Sequence, residues 1–152
     1  MEEKRNFDLL TLGQVLLRLS PANNDRLVRG DTFVKQVGGA ELNVAVGVAL
    51  LGLRTGVISK LPSHDMGSFM KGKIRSYGVS DDFFMYDDSP SARVGIYYYE
   101  NGAYPRKPKV IYDRANSSFY SLKIDEIPEK AYTASRCFHT SGITLALSPK
   151  VR

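Results

Sequence analysis

Two hydrophobic rhythms alternate along the chain, and the switches between them mark its elements. Residues 7–13 (FDLLTLG) form a short apolar run ending in glycine, the pattern of a strand buried on both faces of a parallel sheet. Residues 15–20 continue in an extended style up to Pro21, and residues 32–37 (TFVKQV) alternate in a half-buried way, so both read as strands of a smaller, more exposed sheet. Gly38 and Gly39 then open a helix over residues 40–51 whose apolar side chains cover nearly every face, which predicts deep burial, with Gly52 ending it. Residues 57–60 predict the next core strand. Asp65 is placed to cap a second helix, in which Met66, Phe69, Met70, Ile74 and Tyr77 recur at helical spacing before Gly78.

This β-α-β-α order predicts an α/β sheet with right-handed crossovers. A short strand is expected within 79–86. Two β-rich segments follow, residues 93–100 (RVGIYYYE) and 109–114 (KVIYDR), separated by Asn101-Gly102, Pro105 and Pro108, which together read as an antiparallel hairpin with a long loop. Period-two geometry sets Tyr97 and Tyr99 on one face of the first strand and Tyr112 and Arg114 on one face of the second. Such a face suits a flat polar ligand, and it equally suits an amphipathic surface hairpin. Residues 121–132 read as a loop with a short helix interrupted at Pro128, and residues 136–141 (RCFHTS) as another core strand followed by Gly142. No repeat, low-complexity tract or separable linker divides the chain.

Composition narrows the classes. At 152 residues and 43% hydrophobic content the chain can bury one core, as a single domain or a piece of one. A net charge of +5 and a pI of about 9.3 permit an anionic partner. The bases are interspersed with acids, however, which fits a solvated surface or an acidic small substrate rather than nucleic acid. Cys137 has no second cysteine to pair with, so it reads as a small core residue in a chain suited to a reducing cytoplasm. The N-terminal sequence lacks the character of a signal peptide, and the apolar run at 44–53 is about half a bilayer span, so no membrane is expected. His64 and His139 stand far apart with no cluster at ligand spacing, so no protein-built metal site is expected. His139 and Ser141 lie two apart on a strand with no third group set beside them, and they read as strand-end polar residues rather than a hydrolytic pair.

The most chemically suggestive segment is 37–43 (VGGAELN). Gly38 and Gly39 let backbone approach a ligand closely, the helix start offers free N–H groups, and Asn43 supplies a donor and an acceptor that match vicinal hydroxyls. The same residues would serve a tight strand-to-helix turn with Asn43 as a local cap.

The run Gly38, Gly39, Ala40, Asn43, Gly52 and then residues 61–67 (LPSHDMG) resembles the first sequence pattern of the ribokinase-like, or phosphofructokinase-B, sugar kinases. Residues 11–21 (TLGQVLLRLSP) and 110–114 (VIYDR) are similar to the 2-keto-3-deoxygluconate kinase branch. The resemblance implies the N-terminal part of a Rossmann-like α/β domain over residues 1–152, with a small β lid made from strands near 15–20, 32–37, 93–100 and 109–114. It implies transfer of the γ-phosphoryl of ATP, with Mg2+, to a sugar hydroxyl. It further implies that the sugar is held at Gly38, Gly39 and Asn43, and the keto acid at Tyr97, Tyr112 and Arg114. A guanidinium pairs with the carboxylate of a sugar acid, which ribose and fructose lack. Two positions depart from the branch: Gln14 stands where a glutamate is usual, and Asp113 where a tyrosine is common.

Kinases of this kind draw their catalytic base from a later loop of Gly-Ala-Gly-Asp type, and no such segment occurs in these 152 residues. Neither a Gly-x-x-x-x-Gly-Lys-Ser/Thr loop nor a Gly-x-Gly-x-x-Gly turn occurs in its place. The expectation is therefore a sugar-binding half without its own catalytic residue, inactive alone, whose open sheet edge favours association through the β lid. A kinase for fructose or ribose, and a non-catalytic sugar-binding or assembly module, are the competing expectations.

Overall fold

The structure, a computed structural model, describes residues 5–147; the ends of the expected 1–152 domain lie outside them. Its strands are β1 (Phe7–Leu12), β2 (Leu16–Pro21), β3 (Phe33–Gly38), β4 (Thr55–Pro62), β5 (Val79–Asp87), β6 (Gly95–Glu100), β7 (Lys109–Asp113) and β8 (Ser135–His139). Its helices are α1 (Ala40–Leu50), α2 (Asp65–Ser76) and the single turns α3 (Lys130–Thr133) and α4 (Gly142–Leu145). No helix among the described residues is long and apolar enough to cross a membrane.

One sheet is wholly parallel, in the order β5-β4-β1-β8. Every residue of β4 is buried, as expected of an inner strand covered on both faces. On one face Val57 and Leu61 pack with Leu42 and Ala45 of α1 and with Met70 and Ile74 of α2. On the other, Leu10, Ile58 and Phe83 pack with Phe7 and Ala131. In α2 the buried residues Gly67, Met70 and Ile74 fall on one stripe. A Cβ at Gly67 would lie 1.8 Å from the Pro62 carbonyl oxygen, so glycine there lets the helix sit directly on the end of β4.

The second sheet runs β3-β2-β6-β7. Its β2-β3 and β6-β7 pairs are antiparallel hairpins, and the two hairpins join through a parallel β2-β6 contact. Period-two alternation splits this sheet. Leu17 and Val37 are cross-strand partners that join the core, whereas Arg18, Tyr97 and Tyr112 stand side by side in register on the opposite face.

Three expectations are corrected. The cap of α2 is His64, whose Nδ1 accepts from the Met66 N–H at 3.2 Å; Asp65 is the first helical residue and favours the helix through its charge at the N-terminus. Helix α1 is not buried all round: Leu42 and Ala45 are covered, but Val44 and Leu50 are exposed, because the described residues pack against only one of its sides. Among the described residues strand β8 stands at the end of the sheet, paired there with β1, and Phe138 and Cys137 are exposed, so Cys137 is not buried as a core residue there.

Candidate substrate-binding cleft

The cleft forms where β1 turns into β2 beside the start of α1. Two glycines allow that approach. Gly39 has φ of 152°, and a Cβ on it would fall 2.6 Å from the carbonyl oxygen of Gln14. A Cβ on Gly13 would fall 2.2 Å from the carboxylate of Glu41. With no side-chain cap at Gly39, the N–H groups of Ala40, Glu41 and Leu42 have no acceptor among the described residues. They form an open donor set at the positive end of the helix dipole. Asn43 is exposed on the same first turn and its side chain makes no hydrogen bond there, so it does not act as a local cap.

The lid strands supply the opposite wall. A cleft of about 220 Å³ is lined by Gly39, Ala40 and Asn43 from the helix start, by Tyr97 of β6 and Tyr112 of β7, and by Arg114 just past the end of β7. Gln14, Leu16, Glu41 and Ile143 complete the lining. Five of the six residues expected to hold substrate therefore converge. Gly38 does not line the cleft; a Cβ there would lie 2.7 Å from the Tyr97 hydroxyl, so this glycine makes room for that side chain.

Arg114 is held rather than loose. Its Nε donates to Oε1 of Gln14 at 2.7 Å, and its guanidinium carbon lies 5.6 Å from the centre of the Tyr112 ring. Tyr112 in turn lies 6.0 Å from Tyr97, ring centre to ring centre, at 36°. Among the described residues no carboxylate lies within ion-pairing distance of Arg114. The adjacent acid, Asp113, accepts from Arg93 Nη2 at 2.8 Å on the other face of the strand, so it does not neutralise the cleft. Burial pushes the Tyr97 phenol above its ordinary pKa; the Arg18 charge opposes the rise, while Tyr112 and Tyr99 add to it. Tyr97 is thus a neutral donor in neutral solution.

Sequence reasoning did not single out Gln14 or Glu41 as parts of the site. Glu41 is almost fully buried, and its Oε1 accepts from both the N–H of Ser141 at 3.0 Å and the Ser141 hydroxyl at 2.6 Å. This bridge ties the first turn of α1 to the N-cap of α4, just past the end of β8. The Ser141 hydroxyl also caps α4 by accepting from the Ile143 N–H. An acid in the first turn of an otherwise apolar helix was the available signal.

Residues 6–152 match the family described as pfkB family carbohydrate kinase. The chain belongs to that family. It is 37% identical over 145 residues to the 2-dehydro-3-deoxygalactonokinase of Haloferax volcanii, covering 95% of this chain and 45% of that protein. It is 32% identical over 147 residues to the 5-dehydro-2-deoxygluconokinase of Listeria innocua, covering 96% of this chain and 45% of that protein. Among solved structures it is similar to the 2-dehydro-3-deoxygluconokinase of Thermotoga maritima, with a TM-score of 0.88 and 38% identity over 94% of this chain and 43% of that one. The pfkB chain thus spans somewhat under half the length of these relatives. Its parallel sheet with a second sheet alongside is the ribokinase-like architecture.

Proposed function

We propose that the protein containing this chain is an ATP-dependent sugar kinase acting in the cytoplasm on 2-keto-3-deoxygluconate, and that this segment supplies the grip on the sugar acid. One observation carries the reading: Arg114, which has no carboxylate partner among the described residues, lines one cleft together with Ala40 and Glu41, whose N–H groups at the helix start have no acceptor among those residues either. Both are donors, and together they suit a ligand with a carboxylate at one end and hydroxyl oxygens at the other. Tyr97 and Tyr112 add phenol donors between them, and Asn43 adds a donor and an acceptor for vicinal hydroxyls. The names of the three relatives each denote a kinase of a keto-deoxy sugar acid, which supports the carboxylate assignment.

No three His, Cys, Asp or Glu side chains stand together as a metal site among the described residues, and the sequence has no phosphate-binding glycine loop of the recognised kinds. In this reading the nucleotide, its metal ion and the base that takes the hydroxyl proton belong to the part of the relatives' length that this chain does not span. What the chain contributes is orientation: it fixes the acid end of the sugar so that one hydroxyl is presented in a constant place.

The test compares ketodeoxygluconate, fructose and ribose as phosphoryl acceptors of the whole protein, with and without Arg114→Ala. Loss of a charge-assisted contact worth about 1.5–3 kcal/mol should lower kcat/KM for the acid roughly 10- to 150-fold and abolish the preference for it. The 152-residue chain by itself should show no ketodeoxygluconate-dependent ATP turnover. An Arg114→Ala protein that still prefers the acid contradicts the proposal.

A further inference from the structure

Lys60, Glu100 and Glu41 are the charged side chains buried among the described residues. Two of them meet an opposite charge: Lys60 pairs with Glu126 at 2.6 Å, and Glu100 with Arg106 at 3.0 Å. Glu41 does not. Its carboxylate lies against Gly13, just past the end of β1, and its Oε1 accepts from the N–H and the hydroxyl of Ser141, with no cation at ion-pairing distance among the described residues. A buried charge without a counter-ion is costly to keep, and this one lines the cleft.

Its position in α1 gives that charge a use. The free N–H groups of Ala40, Glu41 and Leu42 make the start of α1 an attractive seat for any anion. A sugar acid entering the cleft therefore meets two places for its carboxylate, the helix start and Arg114, and it lies one way round in the first and the other way round in the second. Glu41 is the acid in the first turn of the helix, where a negative charge offsets the positive end of the dipole. The N–H groups keep their capacity to donate, but the place they occupy is no longer positive. Hydroxyl oxygens are still accepted there, and a second carboxylate is repelled.

We infer that Glu41 is a specificity-determining residue: its uncompensated charge keeps the carboxylate of the sugar off the helix start and so fixes the direction in which the acid lies in the cleft. The inference rests on the sugar-acid reading and adds to it the reason why one of two donor sites takes the acid end.

Steady-state kinetics of the whole protein test it, with 2-keto-3-deoxygluconate and fructose as phosphoryl acceptors. Glu41→Gln keeps an oxygen for Ser141 and removes the charge. Part of the bound acid should then lie reversed and unreactive, so kcat and KM for the acid should fall together by about three- to tenfold while kcat/KM changes little. Fructose, which has no carboxylate, should keep both constants. Ser141→Ala loosens the same contact without removing the charge, and it should not produce the paired fall. If Glu41→Gln does not fold, acetate serves as the probe in Arg114→Ala: with Glu41 in place the helix start should refuse it, and acetate should not compete with fructose. Competition by acetate there, a paired fall in Ser141→Ala, or a Glu41→Gln protein in which the constants for the acid are unchanged or KM rises for both sugars overturns the inference and leaves the sugar-acid reading intact. A native protein with no preference for the acid overturns both.

Discussion

The parallel sheet and the lid are stabilised by different physics. In the parallel sheet β1 and β4 are covered on both sides, and Leu10, Val57 and Met70 have no measurable exposure. Dense apolar packing fixes those positions. In the lid only one face reaches the core, and the other is arranged by directional contacts: Arg18 lies 4.3 Å above the ring of Tyr99, and Arg114 hangs from Gln14. On the lid's edge facing α2, Lys35 lies 4.4 Å above Phe69. The packed sheet holds Gly39 and the helix start, while the ligand-facing side chains sit where solvent competes for every contact. A binding wall made this way can be retuned by single polar substitutions without disturbing the core.

That contrast can be broken most severely at Leu10. Leu10→Ala removes a fully buried side chain of β1 that packs with Phe7, Ile58 and Phe83, and should cost about 2–5 kcal/mol in thermal or denaturant unfolding. A loss under about 1 kcal/mol would mean that the sheet is less tightly packed than its burial indicates.

An intermediate effect is expected at the rim of the packed sheet. There Lys60 Nζ donates to Glu126 Oε1 at 2.6 Å, with the lysine buried and the glutamate about one-third exposed. Burial raises the Glu126 pKa, but the hydrogen bonds from Lys60 and the Lys123 N–H and the charges of both lysines outweigh it, holding the carboxyl below its usual range. A depressed carboxyl stabilises the fold above its unfolded pKa, and that contribution is lost as pH falls through the lower folded value. Stability should therefore decline as pH drops below about 4.3, the ordinary glutamate value. Glu126→Gln should cost about 1–3 kcal/mol at neutral pH and flatten the acid limb of the unfolding curve. An unchanged acid limb would remove Glu126 from that account.

The smallest effect belongs to the lid. Arg18→Ala deletes the contact with Tyr99 and the 3.0 Å hydrogen bond to Ser20, yet it should cost only about 0.5–1 kcal/mol of stability. A cost comparable to Leu10→Ala would show that the two sheets share one kind of stabilisation after all.

The two-sheet division was legible because the continuous run through Leu9, Leu10 and Thr11 differs from the polar-interrupted stretch Val34, Lys35, Gln36, Val37; the half-buried alternation expected there is not found, since residues 33–36 are all exposed and burial begins at Val37. The glycine turn and the lid tyrosines were legible for the same reason, each being set by local geometry. The Gln14–Arg114 mount was not, since it joins residues 100 positions apart and no local pattern encodes a contact across that separation. The cap of α2 was misplaced by one residue because histidine can accept through Nδ1 as aspartate does through its carboxylate. The exposure of Cys137 was not legible because an apolar strand reads alike at the centre and at the end of a sheet, and among the described residues β8 pairs with β1 alone.

The parallel contact between β2 and β6 has a kinetic consequence. Each hairpin of the lid can zip up from its own turn, but Leu16 meets Gly95 only after the chain has travelled through α1, β4, α2 and β5. Closing so wide an excursion costs entropy that local turns do not, which delays the union of the two hairpins. The wall carrying Tyr97 and Arg114 is thus completed late in folding, and the ability to hold a sugar acid would report that the whole segment has reached its native arrangement.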